Sequence, residues 1–417
     1  MERIELSIPG EVPYEIVLGQ GILPFLGEEL EALSVSGSLM VITDTEVGKR
    51  YLPTLKNALE KTGFQVSVVT VPSGEEAKSV QCAAEVWRAM ADCKLSRDSY
   101  VLALGGGVVG DLAGFCASTF MRGLQVVQIP TTLLSMVDSS VGGKTAINLD
   151  LGKNLVGSFW QPAMVYADIS LLQSLPEREW ACGCGEIVKS AVIDSPSFFD
   201  WLTSHSDGLQ QRDPEVVQEA IKRCVTFKAS VVTRDKNETA GVRECLNYGH
   251  TLAHAIEAFS GYGVYSHGHA VAQGMRFASR LAAGLGYCDF DFVCAQDELL
   301  DRFGLTEITL NASSEELLAL MKVDKKVRHG VLRFVLPFDY GVWEVQDLSD
   351  ELVDQYLQAW LASQQLGIMD ACFMKCFRGW IYWQSLKLHR EQELRKRGNY
   401  GFPIESYRTY AQGNART

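Results

Sequence analysis

Four of the seven histidines in the chain fall in one short stretch, at His250, His254, His267 and His269. His250 and His254 are one helical turn apart, so on a helix they share a face. Neutral imidazole is a good zinc ligand, and a catalytic zinc takes three protein ligands and keeps one position open. His267, arriving from a turn just downstream, offers a third nitrogen. Arg243 and Asn247 precede the stretch and add polar groups suited to an anion. Together these residues point to a metal or anion site. The alternative is a pair of helical histidines that satisfy each other or line a core.

Other residues carry anion chemistry. Gly105-Gly106-Gly107-Val108-Val109-Gly110-Asp111 follows the apolar run Ser99 to Leu104. Glycines let a backbone approach a pyrophosphate, and the next helix presents its N–H groups to the charge. The spacing is not that of the dinucleotide fingerprint, so a tight strand-to-helix turn is the competing reading. Asp44, at a strand end, suits a ribose hydroxyl or a helix N-cap. Gly142-Gly143-Lys144-Thr145 has the wrong spacing for a Walker A loop. Lys144, Lys153, Asp138 and Asn154 still gather among glycines and serines, as an anion pocket or an exposed loop would. Glu186 lies among small and apolar residues, as a paired core acid or a ligand. Cys182 and Cys184 read as small buried residues, because no second cysteine pair with zinc spacing accompanies them.

The elements that must position these groups follow from periodicity. Strand-like runs at 39–44, 65–71, 99–104 and 126–132 alternate with helical patterns such as Val80 to Met90, which predicts a parallel α/β sheet over residues 1–165. From 166 to 362 the pattern is mostly helical, with a helix opening at Pro176 and a strand-like run from Val331 to Pro337. A helix starting near Gly268 would leave His267 at the turn before it and aim His269 elsewhere. Residues 363–417 form an aromatic and then charge-dense extension in which no chemistry is legible. The net charge of −13 argues against a nucleic-acid surface and requires any anion site to concentrate its cations locally. Eleven cysteines without framework spacing, and no secretory signal, predict reduced thiols in a cytoplasmic protein. No uncharged apolar run is long enough to cross a bilayer.

Taken together, Gly105 to Asp111, Met121-Arg122-Gly123, Pro130-Thr131-Thr132, Asp138 to Lys144, Gly152-Lys153-Asn154, Glu186 to Lys189, Asn247 to Glu257, His267-Gly268 and Asp324-Lys325-Lys326 resemble the 3-dehydroquinate synthase family in order and spacing. The resemblance runs from near residue 1 to about 360. It implies an NAD-binding α/β domain, a mostly α-helical domain, an active site in the cleft between them and a homodimer. It also implies conversion of 3-deoxy-D-arabino-heptulosonate 7-phosphate to 3-dehydroquinate and phosphate in the shikimate pathway, with NAD reduced and reoxidised within one turnover. Glu186, His250 and His267 would hold a divalent metal, zinc or alternatively cobalt. Lys144, Asn154, Asn247 and one of Lys325 or Lys326 would contact phosphate and hydroxyls, with Lys153 and Asp138 beside them. Arg122 would reach the phosphate from the neighbouring subunit. Lys228 and Arg243 would hold the carboxylate, and His254 would relay a proton. Asp44, Glu75, Lys78, Gly106, Gly107, Asp111, Thr131, Thr132 and Ser174 would contact NAD. The sequence departs from the family at His269, Ser174 and Cys182, and by one extra residue between Asp235 and Gly241. A related sugar-phosphate cyclase and a non-catalytic NAD- or zinc-binding protein are the competing readings. The presence of Arg243, Asn247 and Lys228 favours the synthase.

Overall fold

The computed structural model describes residues 1–35, 37–261, 263–324 and 331–365. Lys325, Lys326 and all but the start of the 363–417 extension lie outside them. The chain opens with β1 (Glu2–Leu6), β2 (Tyr14–Gly19), α1 (Leu26–Ala32), β3 (Leu39–Asp44), α2 (Thr45–Lys61), β4 (Val66–Val71), α3 (Val80–Asp92), β5 (Tyr100–Gly105), α4 (Gly107–Thr119) and β6 (Gln125–Pro130). A hairpin follows, β7 (Lys144–Leu149) and β8 (Gly152–Phe159), and then β9 (Met164–Asp168). The helical half comprises α5 (Glu177–Asp194), α6 (Pro196–Ser204), α7 (Ser206–Gln210), α8 (Pro214–Arg234), α9 (His250–Ser260), α10 (His267–Gly284), α11 (Phe290–Arg302) and α12 (Ser314–Asp324). It ends with the hairpin β10 (Leu332–Asp339) and β11 (Val342–Leu348), and then α13 (Asp350–Gln365).

The main sheet has the order β1-β2-β9-β6-β5-β3-β4 and is parallel except at its β1-β2 edge. Its inner strands are apolar because both faces are covered by helices. Met40, Ile42, Val101 and Ala103 face one core, and Leu39, Val41, Leu102 and Leu104 face the other. The chain leaves β3 for β4 on one side and then crosses to β5 on the other. The strand ends at Asp44 and Gly105 therefore flank a topological switch point, where open α/β sheets bind ligands.

The four strands expected from apolar runs are all present. The edge strand β1, its neighbours β2 and β9 and the hairpin β7-β8 were not expected. The hairpin brings Lys144, Lys153 and Asn154 out of what reads in the sequence as a loop. It lies against α4 so closely that a Cβ on Gly114 would sit 2.3 Å from Thr145 Cγ2.

In the helical half, α5, α9 and α10 meet at glycines. A Cβ on Gly268 would stand 2.0 Å from the Cys182 carbonyl oxygen, and one on Gly274 would stand 1.8 Å from the Gly249 carbonyl oxygen. These backbone-to-backbone approaches bring the starts of α9 and α10 together against α5. Cys182 is buried in the crossing and accepts from the Gly268 N–H at 3.2 Å, a packing role consistent with its sequence setting. The α10 helix begins at His267, one residue earlier than expected.

Gly274→Ala forces a methyl group into rigid backbone, and overpacking of this kind costs about 1–3 kcal/mol or more. We expect a lower urea midpoint with an unchanged m-value. An unchanged midpoint would show that the two helices can separate without loss.

Candidate active site

Glu186 projects from α5, His250 is the first residue of α9, and His267 is the first residue of α10. Glu186 is 1% exposed. Its Oε1 lies 3.7 Å from His250 Nε2 and 3.6 Å from His267 Nε2. Metal–ligand bonds of about 2.0–2.2 Å span such separations. Lys189, one turn further along α5, forms an ion pair with Oε2, and Oε1 has no hydrogen-bond partner. A buried carboxylate backed by the Lys189 ammonium and faced by two imidazole nitrogens is a donor set that fits a divalent metal. The other nitrogens are turned away. His250 Nδ1 donates to the Tyr248 carbonyl at 3.1 Å, and His267 Nδ1 meets Glu257 Oε2 at 3.3 Å. Each Nε2 is thereby left to face Glu186.

Electrostatics follow from burial. Burial, and then the Lys189 charge, hold His250 well below the usual histidine range. Burial acts on His267 in the same direction, but the Glu257 hydrogen bond and the charges of Glu257 and Glu186 outweigh it and raise the group. Burial also opposes charge on Lys189, yet Glu186 and Asp138 hold its ammonium above the ordinary lysine value.

Cations ring this centre. Asp138 sits in a π turn, Ser135–Ser139, packed against α8. Lys228 donates to its carboxylate at 2.5 Å and to its carbonyl at 2.6 Å. Burial pushes the Asp138 carboxyl up, but the Lys228 and Lys189 charges overcome this and hold it far below the carboxylate range. Arg243 is 1% exposed and lies in a 3-10 turn, Val242–Asn247. Its guanidinium donates to the carbonyls of Lys236 at 2.9 Å and Gly142 at 3.2 Å, while Nε has no hydrogen-bond acceptor. Glu238 pairs with Lys144 and lies 3.6 Å from Arg243 Nε, joining the hairpin to this turn. Burial depresses the Arg243 guanidinium below its usual value.

The dinucleotide-type residues lie at the strand ends. Asp44 Oδ1 accepts from the N–H groups of Glu46 and Val47 at 2.8 and 2.9 Å, so Asp44 does cap α2. The α4 helix starts after Gly106 with no side-chain cap, leaving its N–H groups for an anion. The hydroxyls of Thr43 and Thr131 are buried without hydrogen-bond partners. Unsatisfied donors at the ends of β3 and β6, the strands on either side of β5, fit a polyhydroxyl, phosphorylated cofactor. Lys78 donates to Asp111 at 2.6 Å and to Asn154 at 2.5 Å. Glu75 accepts from Asn148 at 2.7 Å. Asn154, at φ 56°, thus sits with Lys78 and Asp111. Ser174 meets the hydroxyl of Tyr51, in the second turn of α2, at 2.6 Å.

Most of the residues singled out from sequence come together, with differences. His254 stacks near the triad, 5.6 Å from the His250 ring and 6.3 Å from the His267 ring. Asn247 is exposed at the end of its turn. Arg122 lies on an exposed turn in which Met121 and Arg122 have φ of 50° and 69°. Among the described residues of this chain it makes no ion pair. His269 donates to the Thr306 carbonyl at 2.9 Å, away from the triad. Glu257, Lys189 and Glu238 were missed as members of the site. For Glu257 a signal existed, because His250, His254 and Glu257 fall at i, i+4 and i+7 on one helix face.

Known proteins place this geometry. The sequence profile of 3-dehydroquinate synthase N-terminal matches residues 68–182, and that of 3-dehydroquinate synthase C-terminal matches residues 183–327. A 3-dehydroquinate synthase of Rhodopirellula baltica is 44% identical over 360 residues, covering 85% of this chain and 96% of the relative. That of Thermodesulfovibrio yellowstonii is 40% identical over 353 residues, covering 84% and 98%. Among solved structures, a 2-epi-5-epi-valiolone synthase from Streptomyces hygroscopicus with NAD+ and Zn2+ bound superposes with a TM-score of 0.78 at 25% identity, covering 86% of this chain and 99% of that one. On two profile matches and relatives aligned over nearly their full length, the chain belongs to the 3-dehydroquinate synthase family.

Proposed function

We propose that this chain is a 3-dehydroquinate synthase, a carbon–oxygen lyase that closes the heptulosonate phosphate to 3-dehydroquinate with loss of phosphate. The observation that carries the reading is the Glu186–His250–His267 cluster, its carboxylate buried and its imidazoles partly exposed, with Lys189 paired to Glu186, Lys228 paired to Asp138, and Arg243 and Lys144 joined through Glu238. Cations gathered near one candidate site suit a substrate bearing a carboxylate and a phosphate, in a protein that is acidic overall.

Glu186, His250 and His267 would hold a divalent metal, zinc or cobalt, which when bound acidifies a substrate hydroxyl. Gly106, Gly107, Thr131, Thr132, Asp44, Glu75, Lys78, Asp111 and Ser174 would hold NAD, which supplies a reversible hydride acceptor. Oxidation beside the labile position makes the neighbouring C–H acidic, and the phosphate can then leave. Arg243 has an unsatisfied Nε and a rigid carbonyl scaffold, so it can take a carboxylate once Glu238 yields. Lys228, locked to Asp138, faces the same space. Lys144, Lys153 and Asn154 would contact the phosphate, and His254, beside the His250 and His267 rings, would relay a proton.

Homodimer formation is part of the same reading. The hairpin exposes Leu149, Leu151, Leu155, Val156 and Phe159, and the Arg122 turn exposes Met121. The two segments adjoin, since the Trp160 ring lies against Gly123. Exposed apolar side chains beside an arginine that makes no ion pair among the described residues suit a second copy that receives that arginine.

Purified protein should release phosphate from the heptulosonate phosphate only when supplied with NAD, and a metal chelator should abolish the release. Turnover that is indifferent to both additions would sink the assignment.

Arg243→Lys keeps the charge but removes the planar fork. A charge-assisted contact of this kind is worth about 1.5–3 kcal/mol, so kcat/KM should fall at least about tenfold while zinc content is kept. Unchanged kinetics would favour a cyclase acting on a substrate without a carboxylate.

His267→Ala should lose zinc and activity together. His269→Glu should keep both, because His269 is engaged at Thr306. Metal analysis of the two variants decides the ligand set, and zinc loss confined to the His269 variant would overturn it.

A further inference from the structure

We propose that Glu257 is the positioning residue for His267 and that it ties the placement of Lys153 to the metal site. The inference rests on the metal-site reading given above. Glu257 is a carboxylate only 7% exposed, on α9 and two turns beyond His250. Such burial demands partners, and the two oxygens have different ones. Oε2 lies 3.3 Å from His267 Nδ1, and Oε1 lies 3.2 Å from Lys153 Nζ. Burial opposes the charge, but the His267 hydrogen bond and the neighbouring positive groups hold the carboxyl down at about 2.

The consequence for His267 is orientation at both ends of the ring. Nδ1 is engaged by Glu257 while Nε2 faces Glu186 Oε1 at 3.6 Å. A carboxylate accepting from one ring nitrogen fixes the tautomer and strengthens the other nitrogen as a ligand. His250 is oriented differently, through the backbone carbonyl of Tyr248 at 3.1 Å. Of the two imidazoles, His267 is therefore the one whose orienting group is a side chain that substitution can remove.

The second oxygen gives Glu257 its wider reach. Lys153 belongs to β8, 104 residues away in sequence, on the hairpin that packs against α4 of the sheet. One carboxylate thus joins a ligand of the helical half to a lysine carried by the sheet half. If Glu257 were only a counter-charge for Lys153, its loss would leave metal retention unchanged. If it positions His267, retention must fall.

The test uses the full-length protein and zinc alone, in competition with a chromophoric chelator, and the visible spectrum of the cobalt-substituted form. Glu257→Leu should retain zinc about 10–100-fold less tightly than wild type and shift the cobalt band. Glu257→Gln keeps an acceptor but not the charge, and should fall between the two. Lys153→Met should weaken retention measurably, but less than Glu257→Leu. Circular dichroism of the metal-free proteins checks the fold. If Glu257→Leu does not fold, the glutamine variant carries the test. A zinc-binding wild type beside Glu257 variants with equal retention and unchanged cobalt spectra would overturn this inference alone. A Lys153→Met variant with unaltered retention would overturn the link to the hairpin. A wild type that holds no zinc would overturn the metal-site reading and this inference with it.

Discussion

The carboxylate of Glu186 lies where water cannot reach it, and an isolated buried charge is one of the least tolerable features a protein can contain. Its compensation comes from three directions at once. Lys189 is one turn along the same helix, and His250 and His267 arrive at the starts of two others. Those starts reach α5 only because glycines at 249, 268 and 274 let backbones approach each other without a Cβ between them. The glycines and the ligands are therefore one device. Substituting a crossing glycine would affect the metal site by displacing the helix starts, with no ligand altered.

The charge pattern follows from the same constraint. Lys189, Lys228 and Arg243 are largely or wholly buried, and each is held by an acid or by carbonyls. Surface ion pairs contribute little and are screened by salt. Buried pairs cost desolvation, and their use lies in fixing charges in place before a ligand arrives. In an acidic protein these cations are set apart from the general surface by burial, which concentrates attraction for an anion in one space.

The legibility of this arrangement in sequence varied with how local its causes are. Strands β3, β5 and β6 were readable because both faces are buried and the runs are mostly apolar, and the half-exposed edge strand β4 because it is rich in β-branched residues. The β1 strand, Glu-Arg-Ile-Glu-Leu, has a half-exposed pattern with two acids and an arginine, and so gives no core signal. The β8 strand is largely exposed, and its pairing with β7 is fixed by packing on α4 rather than by its own composition. Glu186 alone reads ambiguously, since a core acid and a ligand have the same neighbours. The resemblance to a family favours the ligand reading, and the geometry sets two imidazole nitrogens against the carboxylate. Lys325 and Lys326 lie outside the described residues.

Glu257 shows why a site can be missed even when its spacing is visible. It shares a helix face with His250 and His254, and that much is periodicity. Its function depends on what faces it from α10 and from the hairpin, and those partners lie 10 and 104 residues away. A sequence pattern can place a side chain on a face, but the partner across the gap is set by tertiary packing. The residues that are hardest to read are thus those that join parts distant in sequence. Here the carboxylate between His267 and Lys153 links the helix starts that hold the ligands to the hairpin that carries the lysines.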